Sequence, residues 1–131
     1  MALYYFDTSA LVKLVRTESD STAMYALWAD VHGSAISSEL VVTELQRAVR
    51  HEPAPVRQQA MTLLDQLALI AVDRPLLEQA GRLDPGILRS LDAIHTASAL
   101  AVGQDLAALV TYDARMADAA RLHNIPLLSP T

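Results

Sequence analysis

Short apolar runs alternate with longer helix-patterned stretches along this whole chain, and few architectures accept that alternation. Leu3–Phe6, Ser34–Ser37, Leu69–Val72 and Ala108–Tyr112 read as buried strands. Leu127-Leu128, between Pro126 and Ser129, has room for at most a short fifth strand. Helix signatures cover Ala10–Arg16, Ser19–Val31, Glu39–Arg50, Val56–Leu67, Leu76–Leu83, Leu91–Val102 and Ala114–His123. Asp7-Thr8-Ser9, Ser38 and Ser90 offer N-caps, Pro53 and Pro55 break a helix, and Gly103 ends one. Strands that each feed a helix pair in parallel, and the helices cover both faces of the sheet. The expected class is α/β, with a central parallel sheet of four to five strands.

The chain has 131 residues, which suits one domain over 1–131, and its 52% apolar content is enough for a real core. It contains no cysteine, so a metal would have to be held by oxygen or histidine. The longest uncharged stretch, Ala93–Gln104, has 12 residues. A bilayer span needs about 20 apolar residues. Asp7 interrupts the first apolar run early and no basic region precedes that run, so no signal peptide is expected. The expected location is cytoplasmic, with no membrane association. A net charge of −5 counts against a broad nucleic-acid-binding surface. Nine of the ten basic residues are arginine, however, and arginine suits bidentate contact with phosphate.

Within this frame four acids stand at places where an α/β fold gathers side chains. Asp7 and Asp113 end apolar runs, Asp92 opens a helical run, and Glu44 lies inside another. Residues just past the carboxyl ends of parallel strands share one crevice, at the point where strand order reverses. Each acid also has a local explanation. Asp7 and Asp113 can be N-caps, and Asp92 can answer a helix macrodipole. Glu44 lies on the stripe Leu40, Val41, Glu44, Ala48, where a carboxylate needs a partner; Arg47 at i+3 could serve as one. Glu39, at the helix start, is better explained by the dipole, and Asp118 is a weaker acid candidate beside Asp113. His95 and Thr96 follow Asp92 at i+3 and i+4; His95 reads as a hydrogen-bonded structural histidine rather than a ligand. Gathered without cationic partners, four carboxylates would repel one another and some would stay protonated. A divalent metal resolves that conflict, and an oxygen-only site suits Mg²⁺ or Mn²⁺.

The same residues carry a family resemblance. Tyr4-Tyr5-Phe6-Asp7-Thr8-Ser9-Ala10-Leu11-Val12-Lys13 resembles the opening of a PIN-domain nuclease. Ser38-Glu39-Leu40-Val41-Val42-Thr43-Glu44-Leu45 with Arg47-Ala48 is similar to that family's second acidic motif, and Leu91–Leu100 to its third. Val110-Thr111-Tyr112-Asp113 with Ile125-Pro126-Leu127 resembles its closing segment. Size and pattern look most like the VapC toxins of bacterial type II toxin–antitoxin pairs. The resemblance implies a three-layer α/β/α fold and a Mg²⁺- or Mn²⁺-dependent endoribonuclease leaving 5′-phosphate products. It also implies homodimerisation and silencing by a VapB-like antitoxin.

On that reading Asp7, Glu44, Asp92 and Asp113 hold the metal, and one or two such ions would activate water and stabilise the leaving oxygen. Thr8 and Ser9 orient a ligand or contact phosphate, with Thr96 as a further supporting residue. Lys13 with Arg16, and Arg47 with Arg50, are assigned to RNA backbone, although for Arg50 a solvated surface arginine is the stronger reading. Trp28, with Met24 and Tyr25, is core whose exposed part could receive an antitoxin helix. Two rival classes remain. A receiver-like Mg-binding signalling domain needs adjacent acids after the first strand and a lysine after a late one, whereas the only lysine is Lys13. A PIN fold used purely as a non-catalytic binding module would not need all four acids.

Overall fold

Five strands, β1 (Leu3–Phe6), β2 (Ala35–Ser38), β3 (Ala68–Ile70), β4 (Leu106–Val110) and β5 (Leu127–Leu128), form one sheet in a computed structural model that describes Met1–Thr131. Their order is β3-β2-β1-β4-β5, and every adjacent pair is parallel. Seven helices connect them: α1 (Thr8–Val15), α2 (Ser21–Val31), α3 (Leu40–Ala48), α4 (Ala54–Asp65), α5 (Arg74–Gly81), α6 (Ser90–Val102) and α7 (Ala114–Leu122). No helix is long and apolar enough to cross a membrane.

Strand alternation divides the core in two. Phe6 and Val110 point to one face and pack with Leu11, Val15, Met24, Val41, Leu45 and Leu63 from α1 to α4. Tyr5 and Leu109 point to the other, against Ala99 of α6 and Met116 and Ala120 of α7. Leu76 and Ala80 of α5 join that second layer through Ala93 and Ala97 of α6. Full burial of side chains such as Phe6 and Leu109 is worth roughly 2–3 kcal/mol each. The result is the expected three-layer α/β/α fold.

Small side chains shape the second layer. Ala93, Ala97, Ser98 and Ala99 of α6 are buried, so this helix lies close on the sheet. Its first turn then reaches the carboxyl end of β1. The chain runs outward from β1 to β2 and β3, then returns across the sheet to add β4 on β1's other side. Strand order therefore reverses between β1 and β4, which opens a crevice at their carboxyl ends.

Several element ends differ from expectation for local reasons. α1 begins at Thr8 rather than Ala10, because Asp7 itself is the cap. α6 begins at Ser90, so Arg89 occupies the cap position and Ser90 does not cap the helix. β3 stops at Ile70, and the Val72 amide beyond it donates to Glu39 Oε1 at 2.9 Å. Glu39 thus joins β3's exit to the start of α3, where the helix dipole also favours its charge. Ser38 caps as expected, its Oγ accepting from the Leu40 amide at 3.1 Å.

Candidate active site

A recess of about 180 Å³ opens at the carboxyl ends of β1 and β4, lined by Asp7, Thr8, Ser9, Glu44, Asp92, His95, Asp113 and Met116. All four acids singled out in the sequence meet there. Each comes from a different element, so the convergence is a product of the topology.

Asp7 is buried, and its Oδ1 caps α1 by accepting from the Ala10 amide at 3.0 Å. The same oxygen accepts from Ser9 Oγ at 2.6 Å, and Oδ2 accepts from the Thr111 hydroxyl. Burial pushes this carboxyl above its usual range, and the donors, together with His95, pull it only part of the way back. Asp113 likewise caps its helix, Oδ1 accepting from the Met116 amide at 2.9 Å. Its own amide donates to Thr111 Oγ1 at 3.0 Å, and Ser9 Oγ accepts from the Tyr112 amide at 2.9 Å. Cap and recess residue are thus the same side chain at both strand ends. The local and the functional explanations do not compete.

Glu44 projects from α3 into the recess and accepts on one oxygen, Oε1, from Thr8 Oγ1 at 2.8 Å. His95 Nε2 lies 2.6 Å from that same oxygen. Burial pushes the Glu44 carboxyl up, but the His95 hydrogen bond and charge, with Thr8, outweigh it and hold the carboxyl below its usual range. The partner is therefore His95, not Arg47, which is exposed and makes no ion pair with Glu44. Asp92, in the first turn of α6, has no hydrogen-bonded side-chain partner. Partial burial, then the charge of Asp113 and to a lesser degree Glu44, push its carboxyl above the usual range, against His95 and Arg115.

No three His, Asp or Glu side chains close into a ready cage for a metal ion. The donor set nonetheless fits a hard divalent cation. Glu44 Oε2, Asp113 Oδ2 and both Asp92 carboxyl oxygens accept no protein hydrogen bond. Oxygens of this kind suit a hydrated Mg²⁺ or Mn²⁺, which keeps several of its waters and needs few direct protein ligands.

Residues 4–122 match the PIN domain family. The chain belongs to that family. Over the full length of both chains it is 40% identical to Ribonuclease VapC46 of Mycobacterium tuberculosis strain H37Rv. It is 39% identical to Ribonuclease VapC35 of the same strain, over 98% of this chain and 97% of that one. A crystal structure of VapBC2 from Rickettsia felis, bound to a DNA fragment from its promoter, superposes with a TM-score of 0.69. That match covers 98% and 99% of the two chains at 20% identity, so it establishes a shared fold.

Around the carboxylates of this PIN domain, the supporting residues divide. Thr8 and Ser9 line the recess, and each donates to one of its carboxylates. Thr96 does not line it; the hydroxyl is buried and donates to the Asp92 carbonyl at 2.8 Å within α6. Lys13 and Arg16, expected on RNA backbone, are engaged inside the protein. Lys13 is buried, donates to the Ser19 carbonyl at 2.8 Å, and sits 4.5 Å from the centre of the Tyr112 ring. Arg16 forks onto Glu18 Oε2 at 2.8 and 3.0 Å and reaches the Ala48 carbonyl at 3.1 Å. Asp118 is exposed, pairs with Arg121 at 2.9 Å, and is not part of the recess.

Arg47 remains available, in a cleft of about 480 Å³ with Arg50, Arg57, Val49 and Met61 between α3 and α4. Two arginines were not anticipated: Arg89 and Arg115 line the outer mouth of the site beside Asp92 and Asp113. The other omission was His95 as a recess residue. Its signal was present, because a polar ring three residues from Asp92 on a small, apolar helix needs a buried partner.

Proposed function

We propose that this protein is a metal-dependent endoribonuclease toxin that hydrolyses RNA phosphodiester bonds and is silenced by a VapB-like antitoxin. The carrying observation is that four carboxylates share one recess while none pairs with a lysine or arginine. Kinship with proteins named VapC ribonucleases supports the substrate class. Retention of all four acids favours catalysis over a non-catalytic binding module.

Bound Mg²⁺ or Mn²⁺ would supply Lewis-acid activation of water and neutralise charge developing on the phosphodiester. Asp92, Asp113 and Glu44 would hold it through their unengaged oxygens, directly or through water. Asp7, fixed by Ser9, Thr111 and the Ala10 amide, forms the base of the recess. Arg89 and Arg115 stand at its mouth, and guanidinium groups there would suit contact with RNA phosphates. Arg47, Arg50 and Arg57 extend the track away from the site. By helix rise, Arg47 lies about 4.5 Å along α3 from Glu44, and Arg50 follows just past the end of that helix. Products would carry 5′-phosphates.

The antitoxin reading draws on a second surface. Trp28 packs edge-on against Phe6 at 5.3 Å and, with Leu14, Val15, Tyr25 and Leu63, lines a cleft of about 340 Å³. Its apolar floor and Gln58, Gln59 and Gln66 rim suit an amphipathic antitoxin helix. We assign one domain over 1–131, a homodimer and a cytoplasmic location to the same reading. The deciding experiment is cleavage of single-stranded RNA by purified protein with Mg²⁺ or Mn²⁺. Cleavage should stop with EDTA, and cleavage undiminished by the chelator would overturn the metal-dependent mechanism.

A further inference from the structure

We propose that His95 and Tyr5 are positioning residues that hold Glu44 in the recess, an inference that rests on the metal-dependent reading above. Tyr5 is fully buried in β1, and its hydroxyl lies 2.7 Å from His95 Nδ1. The two rings meet edge-on, with centroids 5.9 Å apart and planes at 82°. His95, only 2% exposed, places Nε2 2.6 Å from Glu44 Oε1. One line of hydrogen bonds therefore runs from the sheet, through α6, to α3.

The chemistry of the end group fixes the direction of that line. An ionised carboxylate only accepts, so the short contact requires a proton on His95 Nε2. When the ring carries that proton alone, Nδ1 is an acceptor, and the Tyr5 hydroxyl is the donor that satisfies it. Tyr5 thereby selects the tautomer that Glu44 needs, as the second nitrogen's partner does for histidines at other sites. Thr8 donates to the same Glu44 oxygen at 2.8 Å. With Oε1 held by two protein donors, Oε2 is the oxygen left to face the recess. A flexible side chain is ordered before any ligand arrives, which lowers the ordering cost of binding.

A histidine that merely filled the core would matter for stability and not for the ligand. Calorimetric titration with Mn²⁺ separates the two, using His95→Phe, His95→Gln and Tyr5→Phe. His95→Phe should weaken Mn²⁺ binding by about 10- to 100-fold and slow single-turnover RNA cleavage by a similar factor. His95→Gln, which keeps an N–H donor, should recover most of that loss, and Tyr5→Phe should fall between the two. His95→Phe binding Mn²⁺ within about twofold of the unaltered protein would overturn the proposal, as would a glutamine variant no better than phenylalanine. If the unaltered protein binds Mn²⁺ but leaves RNA intact, the ribonuclease reading fails and the positioning role is still decided by the Mn²⁺ affinities. If it binds no Mn²⁺, both fail. Should His95→Phe not fold, ¹⁵N shifts of the imidazole in the unaltered protein decide the matter: a ring protonated at Nε2 and bare at Nδ1 supports the line of donors, and one protonated at Nδ1 refutes it.

Discussion

Asp92 and Asp113 share the recess as like charges, and after partial burial the Asp113 charge is the main reason the Asp92 carboxyl titrates above its usual range. Removing the Asp92 charge should therefore stabilise the metal-free fold while abolishing cleavage. Asp92→Asn is expected to raise the melting temperature in EDTA by a few degrees, a modest gain because solvent screens this partly exposed pair. Expression of the variant should no longer arrest growth. A lower melting temperature would mean that Asp92 stabilises the recess by something other than its charge.

Asp7 should respond with the opposite sign. Asp7→Ala removes the α1 cap and leaves the Ser9 and Thr111 hydroxyls without their acceptor in a buried setting. The expected cost is about 2 kcal/mol or more, from a missing cap plus unmet buried donors. Urea denaturation measures it directly. Equal stability of the variant and the parent protein would show that other groups take over the cap.

Acidity should reveal both effects in the metal-free protein. Asp7 and Asp92 have raised carboxyl pKa values, so the folded state binds their protons more tightly than the unfolded chain does. Their ionisation costs stability, and that cost is relieved as pH falls from neutrality toward the unfolded value of about 4. Glu44 has the reverse sign: its contribution is present above an unfolded value of about 4 and is lost as pH drops through its lowered folded value. Denaturation across a pH series in EDTA should show recess carboxylates stabilising the fold on mild acidification and destabilising it below. Asp92→Asn should flatten the first limb. A limb of unchanged slope would argue against the Asp92 assignment.

Divalent metal should substitute for protons. Mn²⁺ at millimolar concentration is expected to raise the melting temperature at neutral pH, reversibly with EDTA, because a ligand that binds only the folded state stabilises it. The shift should shrink in Asp92→Asn. No shift in the unaltered protein would count against a site formed in advance of its ion.

The arginine cleft on α3 and α4 calls for a salt titration. Changing Arg47, Arg50 and Arg57 together to alanine, in the inactive Asp92→Asn background, should weaken single-stranded RNA binding. The slope of log K against log salt should fall by about 0.7 for each phosphate no longer neutralised, or about 2 if each arginine holds one. Fluorescence anisotropy at several salt concentrations reads both quantities. A weaker affinity with an unchanged slope would assign the arginines to something other than phosphate.

The gathering of the acids was legible because it depends on topology, and topology follows from the alternation of apolar runs. Asp7 and Asp113 close strands that prove to be neighbours, and the apolar stripe on α3 singled out Glu44 over Glu39. What escaped the sequence depends on distance through space. Arg47, three residues away, was the obvious partner for Glu44; the actual partner, His95, lies 51 residues further along and is delivered by the packing of α6. Lys13 and Arg16 have the spacing of a basic pair, but the turn containing Glu18 and Ser19 folds back onto both. Thr96 sits at helical spacing from Asp92, yet its hydroxyl bonds to the preceding turn, an outcome that spacing alone does not distinguish from one facing the recess.

The position of β4 beside β1 also bears on synthesis. A chain stopped anywhere before residue 106 lacks the strand that lies between β1 and β5, and it lacks Asp113 as well. Such a fragment has an open flank where half of the recess should be, and Asp7 is without the Thr111 donor that holds Oδ2. The recess is completed only when β4 and the Asp113 cap that follows it fold in. Broken messages that end before Asp113 therefore yield fragments without the assembled site.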